Sequence, residues 1–477
     1  MSTQSITKSC DLAIIGAGPG GYTAAIRAAQ LGARVILIEE KKLGGACTNV
    51  GCIPTKTLLN LVKLLSEIKK SKNLGLKIGE VSFDLRKIIH KKNEIVTELM
   101  QGIKFLLQSN EIHTIIGQGK LTHNKKIEVT RNDGSKEVIN ATKIILATGS
   151  KPMIPNIPGI DGKNIIFDED ACDLTEIPST LTIAGGGPEG VEFAYIYSYL
   201  GSEITVIEML PHILPAEDPE IARYLQRKMV RNGINVETNS RITSVEDSST
   251  NKLIRVVHKG KEKTVKSEKL VVTLGRTPCI SNLGLDELGV KTSSGRILVN
   301  KKMETNIKDV YAIGDVIGGA YAHEAMEEGT IAAENAFRNR KGELFMDCSI
   351  IPRCFFTIPQ VAAVGLTEEE AKKQRINIKV GKFYFASNAG ALTISDSEGF
   401  IKMLVNAKSK RVIGVHIVGP NASELIAEAV LAMKLKATYE DIIGTIHAHP
   451  TLSEALKEAS MDVEGRSIHK SRHITKT

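Results

Sequence analysis

The sequence has no tryptophan and only 4% aromatic residues, an absence that by itself carries no functional message. Long apolar runs are missing too: no uninterrupted segment suffices to cross a bilayer, which excludes a helical membrane span. The apolar run at 12–15 leads straight into glycines, and the first ten residues lack the apolar core of a secretion signal. No block of like charge stands out. The net charge is +8, but basic and acidic residues are interspersed, which implies mild attraction to acidic partners and no nucleic-acid tail. Lys470 and Arg472 fall in a thinly charged terminus expected to fray. Cysteine is sparse, seven in 477 residues, and no spacing resembles a zinc site. Such a chain without a targeting segment points to a reducing, cytoplasmic compartment and to no metal. Cys10, Cys172, Cys279, Cys348 and Cys354 are scattered singly and fit buried or incidental thiols.

What is present begins with the segment GGACTNVGCIPTK at 44–56, which sets Cys47 and Cys52 five positions apart. Two thiols this close can form a small disulfide ring, and in a reducing compartment such a ring is catalytic more often than structural. Pro54 and the apolar series Leu58, Leu59, Leu61, Val62, Leu64, Leu65 and Ile68 predict a helix starting around Cys52. Its N-terminal amides would favour a thiolate there. The alternative reading is two buried, unpaired thiols.

A chain of this length divides into roughly three domains. Residues 11–15 read as a buried strand, followed by a turn through Gly16, Gly18 and Gly21, an alanine-rich helix, and a second strand ending at Glu39. The first glycine permits a tight turn, the second admits a pyrophosphate, and the third lets helix and strand pack closely. Glu39, 23 positions beyond Gly16, can accept hydrogen bonds from a ribose. The device returns at 181–208, with Gly185, Gly187 and Gly190 leading to Glu208 at the same interval. A carboxylate at Glu208 would repel a 2′-phosphate, which favours NAD over NADP. Pro188 and Glu189 make this second loop less regular. Glu189 reads either as a solvent-facing first-turn acid or as a group crowding the pyrophosphate.

Strand-like KIILATGS at 143–150 ends near Thr148 and Gly149, and the prolines at 152, 155 and 158 suggest an interdomain connection. The segment DVYAIGDVIGG brings Asp315 to ribityl or phosphate-linked hydroxyls if it rejoins the first nucleotide domain. Two amphipathic helices are expected within 57–110, covering the adenine end of the first cofactor. After Pro352 the pattern changes to strands with polar turns (CFFTI, VAAVG, FIKMLVN, RVIGVHIVG) and helices near 368–374, 421–436 and 451–459, which suggests an α+β domain. Near its end, HAHPTLSE places His449 just before a helix and Glu454 inside its first turns. A carboxylate can orient an imidazole as a general base. Alone, a packed or capping histidine is an equal reading; the cysteine pair supplies the chemistry such a base would serve.

These motifs, in this order, resemble the dihydrolipoamide dehydrogenases within the pyridine nucleotide–disulfide oxidoreductases, across nearly the whole chain. The resemblance implies an α/β fold with two Rossmann-like three-layer (ββα) nucleotide-binding domains and a C-terminal α+β dimerisation domain. Residues 1–150 would form the FAD-binding domain with the redox disulfide and 151–280 the NAD-binding domain. Residues 281–349 would return to complete the FAD-binding domain, and 350–477 would form the interface. It implies FAD in the first site, held by Gly16, Gly18, Gly21, Glu39, Lys56, Thr148, Gly149 and Asp315. NAD would occupy the second, with Gly185, Gly187, Gly190, Glu208, Gly275 and Arg276. Cys47 would exchange with substrate sulfur, Cys52 would face the flavin, and Lys56 would pair with Glu192. His449 would take the substrate proton while Glu454 orients it, both completing the partner subunit's site in a homodimer.

The implied reaction is oxidation of dihydrolipoamide carried by another protein, either the acyltransferase of a 2-oxoacid dehydrogenase complex or a glycine cleavage carrier. No lipoyl domain precedes the first loop, so the carrier is expected to be separate. Glutathione and trypanothione reductases would place basic residues after the second nucleotide strand, where Glu208, Met209 and Leu210 stand. Mercuric reductase needs a C-terminal cysteine pair, but the last cysteine is Cys354. A soluble transhydrogenase would lack the disulfide. The rival outside enzymes is a redox-sensing dimer that keeps its cofactors for folding. Pro188-Glu189 and Gly390 depart from the family pattern, at positions that bear on NAD affinity and dimer contacts.

Overall fold

The first strand is fixed by an unbroken apolar run, since Leu12, Ala13 and Ile14 are fully buried between two layers. In the computed structural model, which describes residues 6–160, 165–248, 250–319, 321–337 and 342–471, that strand extends back to Ile6–Ile15. Its polar first half is recruited by parallel pairing with the long strand Lys136–Leu146, from Ile6 opposite Glu137 to Ile15 opposite Leu146. Val35–Glu39 and His113–Ile116 continue the parallel sheet on the other side. Gln118–Thr122 and Lys126–Thr130 fold as an antiparallel meander onto the start of Lys136–Leu146. The late strand Val310–Ala312 pairs in parallel with the end of that same strand, so the chain does rejoin its first sheet. The parallel strands therefore end together at Ile15, Leu146 and Ala312, and ligands of such sheets bind beyond those carboxyl ends.

Four helices serve this unit: α1 (Pro19–Gln30), the short α2 (Gly45–Asn49), α3 (Cys52–Ser71) and α4 (Leu85–Ser109). The apolar series after Cys52 forms the expected helix, but only part of it is buried. Leu58, Leu59 and Val62 pack into a core shared with Val191 and Tyr195 of α5 (Pro188–Leu200), the helix of the second glycine loop, whereas Leu64 is exposed. The start of α3 is thus clasped between the two glycine-loop units. The buried Lys92 of α4 adds a tie to the Asp173 carboxylate.

The second unit has a parallel sheet in the order Asn235–Glu237, Glu203–Ile207, Thr180–Ala184, Lys269–Val272 and Ile166–Phe167, with a three-stranded antiparallel meander over 240–267. The chain enters along Ser150–Pro152 and leaves along Arg276–Pro278, and these two short strands pair with each other. After Pro352 comes an antiparallel sheet in the order Arg353–Phe355, Gln360–Gly365, Val412–Gly419, Phe400–Asn406 and Ile378–Tyr384. Four of these strands fall where the sequence placed them; Ile378–Tyr384 was not expected.

The terminus departs from expectation. Lys470 donates to the Lys382 carbonyl at 3.0 Å and pairs with Asp462 at 2.6 Å, while the buried Glu458 receives Ser467, Ile468 and His469. The tail is tied down as far as Lys470. Arg472 and residues 1–5 of the leader reading lie outside the described residues. No helix among them is long and apolar enough to cross a membrane, and no group of three or more potential ligands could hold a metal ion.

The second and third units are joined by a buried charge cluster. Lys402 reaches Asp218 at 2.9 Å and Glu368 at 2.8 Å, and both Lys402 and Asp218 are almost wholly buried. Removing one partner of such a cluster strands the others without water. Lys402→Met is expected to cost about 3–5 kcal/mol in equilibrium urea unfolding. Adding Asp218→Asn should recover part of that loss; an unchanged midpoint for Lys402→Met would show that the cluster contributes nothing.

Candidate active site

Two glycine loops with the same construction frame the site. Gly16 has φ +105°, and a Cβ there would stand 2.1 Å from the Ala147 carbonyl oxygen, so only glycine makes this turn. A Cβ at Gly21 would meet the Gly16 carbonyl oxygen at 1.9 Å, which is the close helix–strand packing expected of the third glycine. Gly18 caps α1 with no side-chain hydrogen bond, leaving the first amides of the helix to an anion. Glu39 is buried, and its Oε2 accepts the Ala17 amide at 2.7 Å while Oε1 accepts that of Lys41 at 2.8 Å. Burial pushes this carboxyl above its usual range.

The second loop repeats each element. A Cβ on Gly185 (φ +108°) would stand 2.6 Å from the Thr273 carbonyl oxygen, and one on Gly190 would stand 2.0 Å from that of Gly185. Gly187 faces open space and caps α5 without a side chain. Glu208 accepts the Gly186 amide at 2.7 Å and the Leu210 amide at 2.8 Å. Both terminal acids therefore first hold their own loops, and each oxygen keeps lone-pair capacity for a hydroxyl.

The cysteine segment is laid directly on the first loop. The Gly44 amide donates to the Ala17 carbonyl at 2.9 Å, and a Cβ on Gly45 would be only 2.7 Å from the Gly18 Cα. Asn49 closes the turn by donating to the Leu43 and Gly45 carbonyls at 2.9 and 2.8 Å. Cys47 lies in α2, and Cys52 is the first residue of α3, beyond the uncapped Gly51. Both are free cysteines, and their side chains hydrogen-bond to each other. That bond from Cys47, aided by the Lys56 ammonium, lowers the Cys52 thiol to about 7 against the pull of burial. The same bond and burial push Cys47 up.

One turn beyond Cys52, Lys56 Nζ meets Glu192 Oε2 of α5 at 2.8 Å, as the family resemblance implies. Burial opposes the Lys56 charge, yet the Glu192 carboxylate outweighs it and holds the ammonium above its usual range. Glu192 Oε1 also accepts the Phe356 amide at 2.9 Å, and the Phe356 ring lies 5.2 Å from Lys56 Nζ. Glu189, read from the sequence either as solvent-facing or as crowding the pyrophosphate, keeps part of its side chain exposed. It is half-buried, and burial, with Asp168 next, raises its carboxyl to about 7.

Other expected residues gather at the strand ends. Thr148 Oγ1 donates to the Cys279 carbonyl at 2.7 Å, and Gly149 has φ +68°. Asp315 accepts a hydrogen bond from Ser150, whose Oγ also receives Arg276 Nε at 2.9 Å. Arg276 pairs in addition with Asp168 and, at 2.8 Å, with Glu169, and Gly275 before it has φ +118°. In the late glycine turn, Glu328 accepts the Gly314 amide at 2.6 Å, and burial lifts that carboxyl to about 7. Asp168, Glu169 and Glu328 carried no motif, because each acts on a residue outside its own segment.

His449 stands apart in the third unit. Its Nδ1 contacts Glu454 Oε1 at 2.9 Å, and Glu454 Oε2 accepts the Thr451 amide at 2.8 Å. Burial would raise the Glu454 carboxyl, but the Thr451 amide and His449 together hold it below its usual range. The His449 side chain is 70% exposed, and the charged groups acting most on the thiols are Lys56, Glu192 and Asp315. One copy of the chain thus assembles the cysteine, lysine and loop residues but leaves its own histidine in solvent. Gly390 has a local reason: a Cβ there would come 2.6 Å from the Thr451 carbonyl carbon, in the turn that carries His449.

Two uncapped helix starts with open glycines, each above a loop held by an acid, fit two dinucleotides, with the thiols between. The chain matches the family described as pyridine nucleotide–disulphide oxidoreductase over residues 10–329, and the dimerisation domain of that family over 351–460. It is 40% identical to the mitochondrial dihydrolipoyl dehydrogenase 2 of Arabidopsis thaliana, over 96% of this chain and 91% of that one. With the dihydrolipoyl dehydrogenase of Bacillus subtilis it shares 38% identity, over 96% and 99%, and with that of Thermus scotoductus 41%, over 97% and 99%. Among solved structures, LpdA of Mycobacterium tuberculosis superposes with a TM-score of 0.88 at 28% identity, covering 95% of this chain and 99% of that one. The HOCl-induced flavoprotein disulfide reductase RclA of Escherichia coli gives 0.84 at 28% identity, with the same coverage. The chain belongs to the pyridine nucleotide–disulphide oxidoreductases, as a flavoprotein oxidoreductase that uses FAD and NAD.

Proposed function

We propose that the protein oxidises dihydrolipoyl groups on a carrier protein to lipoyl groups, with NAD as the final electron acceptor. The observation that supports this most is the thiol pair at the foot of α3, with Cys52 lowered to about 7 beside the Lys56–Glu192 bridge. In the oxidised enzyme Cys47 and Cys52 are joined as a disulfide. His449 takes the proton of one substrate thiol, and the resulting thiolate attacks Cys47, expelling Cys52 as a thiolate. The second substrate thiol then displaces Cys47 and passes its proton to the departing Cys47 sulfur, closing the substrate disulfide and leaving Cys47 as a thiol, Cys52 as a thiolate, His449 protonated and the enzyme two electrons richer. A bound flavin supplies the two-electron carrier between sulfur and nicotinamide. Lys56 stabilises the thiolate at Cys52, and Glu192 keeps that lysine in place.

The glycines of the first loop, with Glu39, Lys56, Thr148, Gly149 and Asp315, hold FAD in this reading. Those of the second, with Glu208, Gly275 and Arg276, hold NAD, and the Glu208 carboxylate disfavours the extra phosphate of NADP. Residues 1–150 and 281–349 form the FAD-binding domain, 151–280 the NAD-binding domain and 350–477 the interface. The exposure of His449 supports a homodimer in which each His449–Glu454 pair completes the other subunit's site. The exposed apolar side chains Leu431, Leu435 and Ile446 near it in sequence support the same assembly. The carrier is a lipoyl-bearing acyltransferase of a 2-oxoacid dehydrogenase complex or a glycine cleavage protein. The reducing cytoplasm suits the scattered free thiols.

Anaerobic titration with dihydrolipoamide is expected to produce a long-wavelength thiolate–flavin absorption, followed by NADH on addition of NAD. Cys52→Ser should lose both that band and nearly all turnover; retention of both would refute the electron path. His449→Gln should keep FAD and lower lipoamide turnover by about 10²–10⁴-fold. Unimpaired turnover would remove His449 as the base. Because Cys52 is protonated below about 7 and ionised above it, the band of the reduced enzyme should grow as pH rises through about 7. A band of constant strength from pH 5.5 to 8.5 would contradict the lowered thiol.

A further inference from the structure

Beside the thiols lies a cluster of charges that does not balance. Lys56 of α3 and Arg276 at the exit strand are its two cations. Each is already paired: Lys56 with Glu192, and Arg276 with Asp168 and Glu169. Glu189 is a fourth carboxyl in the same field, and Asp168, Arg276, Glu192 and Lys56 all act on it. The buried Asp168 Oδ1 has no hydrogen-bond partner among the described residues. When all four acids are ionised, the cluster carries more negative than positive charge.

Its position gives the excess a use. Glu189 occupies the first turn of α5, two residues beyond Gly187, whose open face receives the pyrophosphate in the reading above. Lys56, one turn from Cys52, interacts with the same carboxylate. In that reading the nicotinamide lies between the open face of Gly187 and Cys52, on the side of the site to which Glu189 belongs. That ring is cationic in NAD and neutral in NADH, while the rest of the dinucleotide is the same. We propose that Glu189 is a specificity residue at the nicotinamide end of the second site, its carboxylate favouring the cationic ring of NAD over the neutral ring of NADH. The proposal rests on the assignment of that loop to NAD.

Burial and the neighbouring Asp168 place the Glu189 carboxyl at about 7, so the preference switches on as the group ionises. By linkage, NAD then lowers the proton affinity of Glu189 by the same factor as ionisation raises the affinity for NAD. The oxidised holoenzyme, which NAD does not reduce, permits a direct test by calorimetric titration at pH 6 and pH 8. The probes are NAD, ADP-ribose, which has no ring, and 1,4,5,6-tetrahydro-NAD, whose ring is neutral and redox-inert. The affinity of NAD relative to both references should rise about fivefold or more between the two pH values. Glu189→Gln should abolish the rise, and Glu189→Asp should retain part of it. A pH-independent ratio in the parent enzyme, or an undiminished rise in Glu189→Gln, overturns the proposal. If Glu189→Gln fails to retain FAD, the ratio in the parent enzyme still decides. Tight NAD binding with a flat ratio removes only the role of Glu189, whereas binding of NADP in place of NAD overturns the site assignment and this inference together.

Discussion

The bond between Lys56 and Glu192 is the contact on which the remaining arrangement turns. It joins the helix that begins with Cys52 to the helix that begins with the second glycine loop. The two glycine loops belong to separate sheets, and sheets alone do not set their spacing. A charge pair with one partner nearly buried, backed by the Phe356 amide and by the shared apolar core of α3 and α5, sets it to within a hydrogen bond. Losing either partner would leave an uncompensated charge where water is scarce, which is why such a pair specifies geometry even when its net contribution to stability is small.

The two glycine loops show how a fold reuses a solution. In both, a left-handed glycine opposes a neighbouring carbonyl, a buried acid receives two backbone amides, and a helix starts without a cap. The uncapped helix is unfavourable in the empty state, since its first amides lack partners. An anion supplies them, so ligand binding completes each element that the sequence leaves unfinished.

Local signals explain what the sequence disclosed. Strand, glycine turn, helix and terminal acid lie within about thirty residues, and every part of the device leaves a residue-type signature. The cysteine pair and the His449–Glu454 pair were legible for the same reason. The partners of Arg276 were not, because Asp168 lies 108 positions away and nothing in DED at 168–170 announces an arginine. The strand Ile378–Tyr384 has only two buried residues and several lysines and glycines near it, so pairing with Phe400–Asn406 defines it more than its own pattern does. The terminus looked frayed because its lysine partners lie in a neighbouring strand and helix. Gly390 departs from the family pattern where the backbone of the histidine turn leaves no room for a side chain.

The paired strands Ser150–Pro152 and Arg276–Pro278 have a practical meaning. The polypeptide departs from the thiol-bearing body and comes home to it at adjacent points, so everything between them is an insertion with two neighbouring covalent joints. Such an insertion is exchangeable as a block only where the newcomer also meets the apolar face of α3 and supplies the acids that pair with Lys92 and Lys402. Exchanging it for a cassette with another cofactor preference would retool the electron outlet while leaving the sulfur chemistry intact, provided that the newcomer keeps an acid able to grip Lys56.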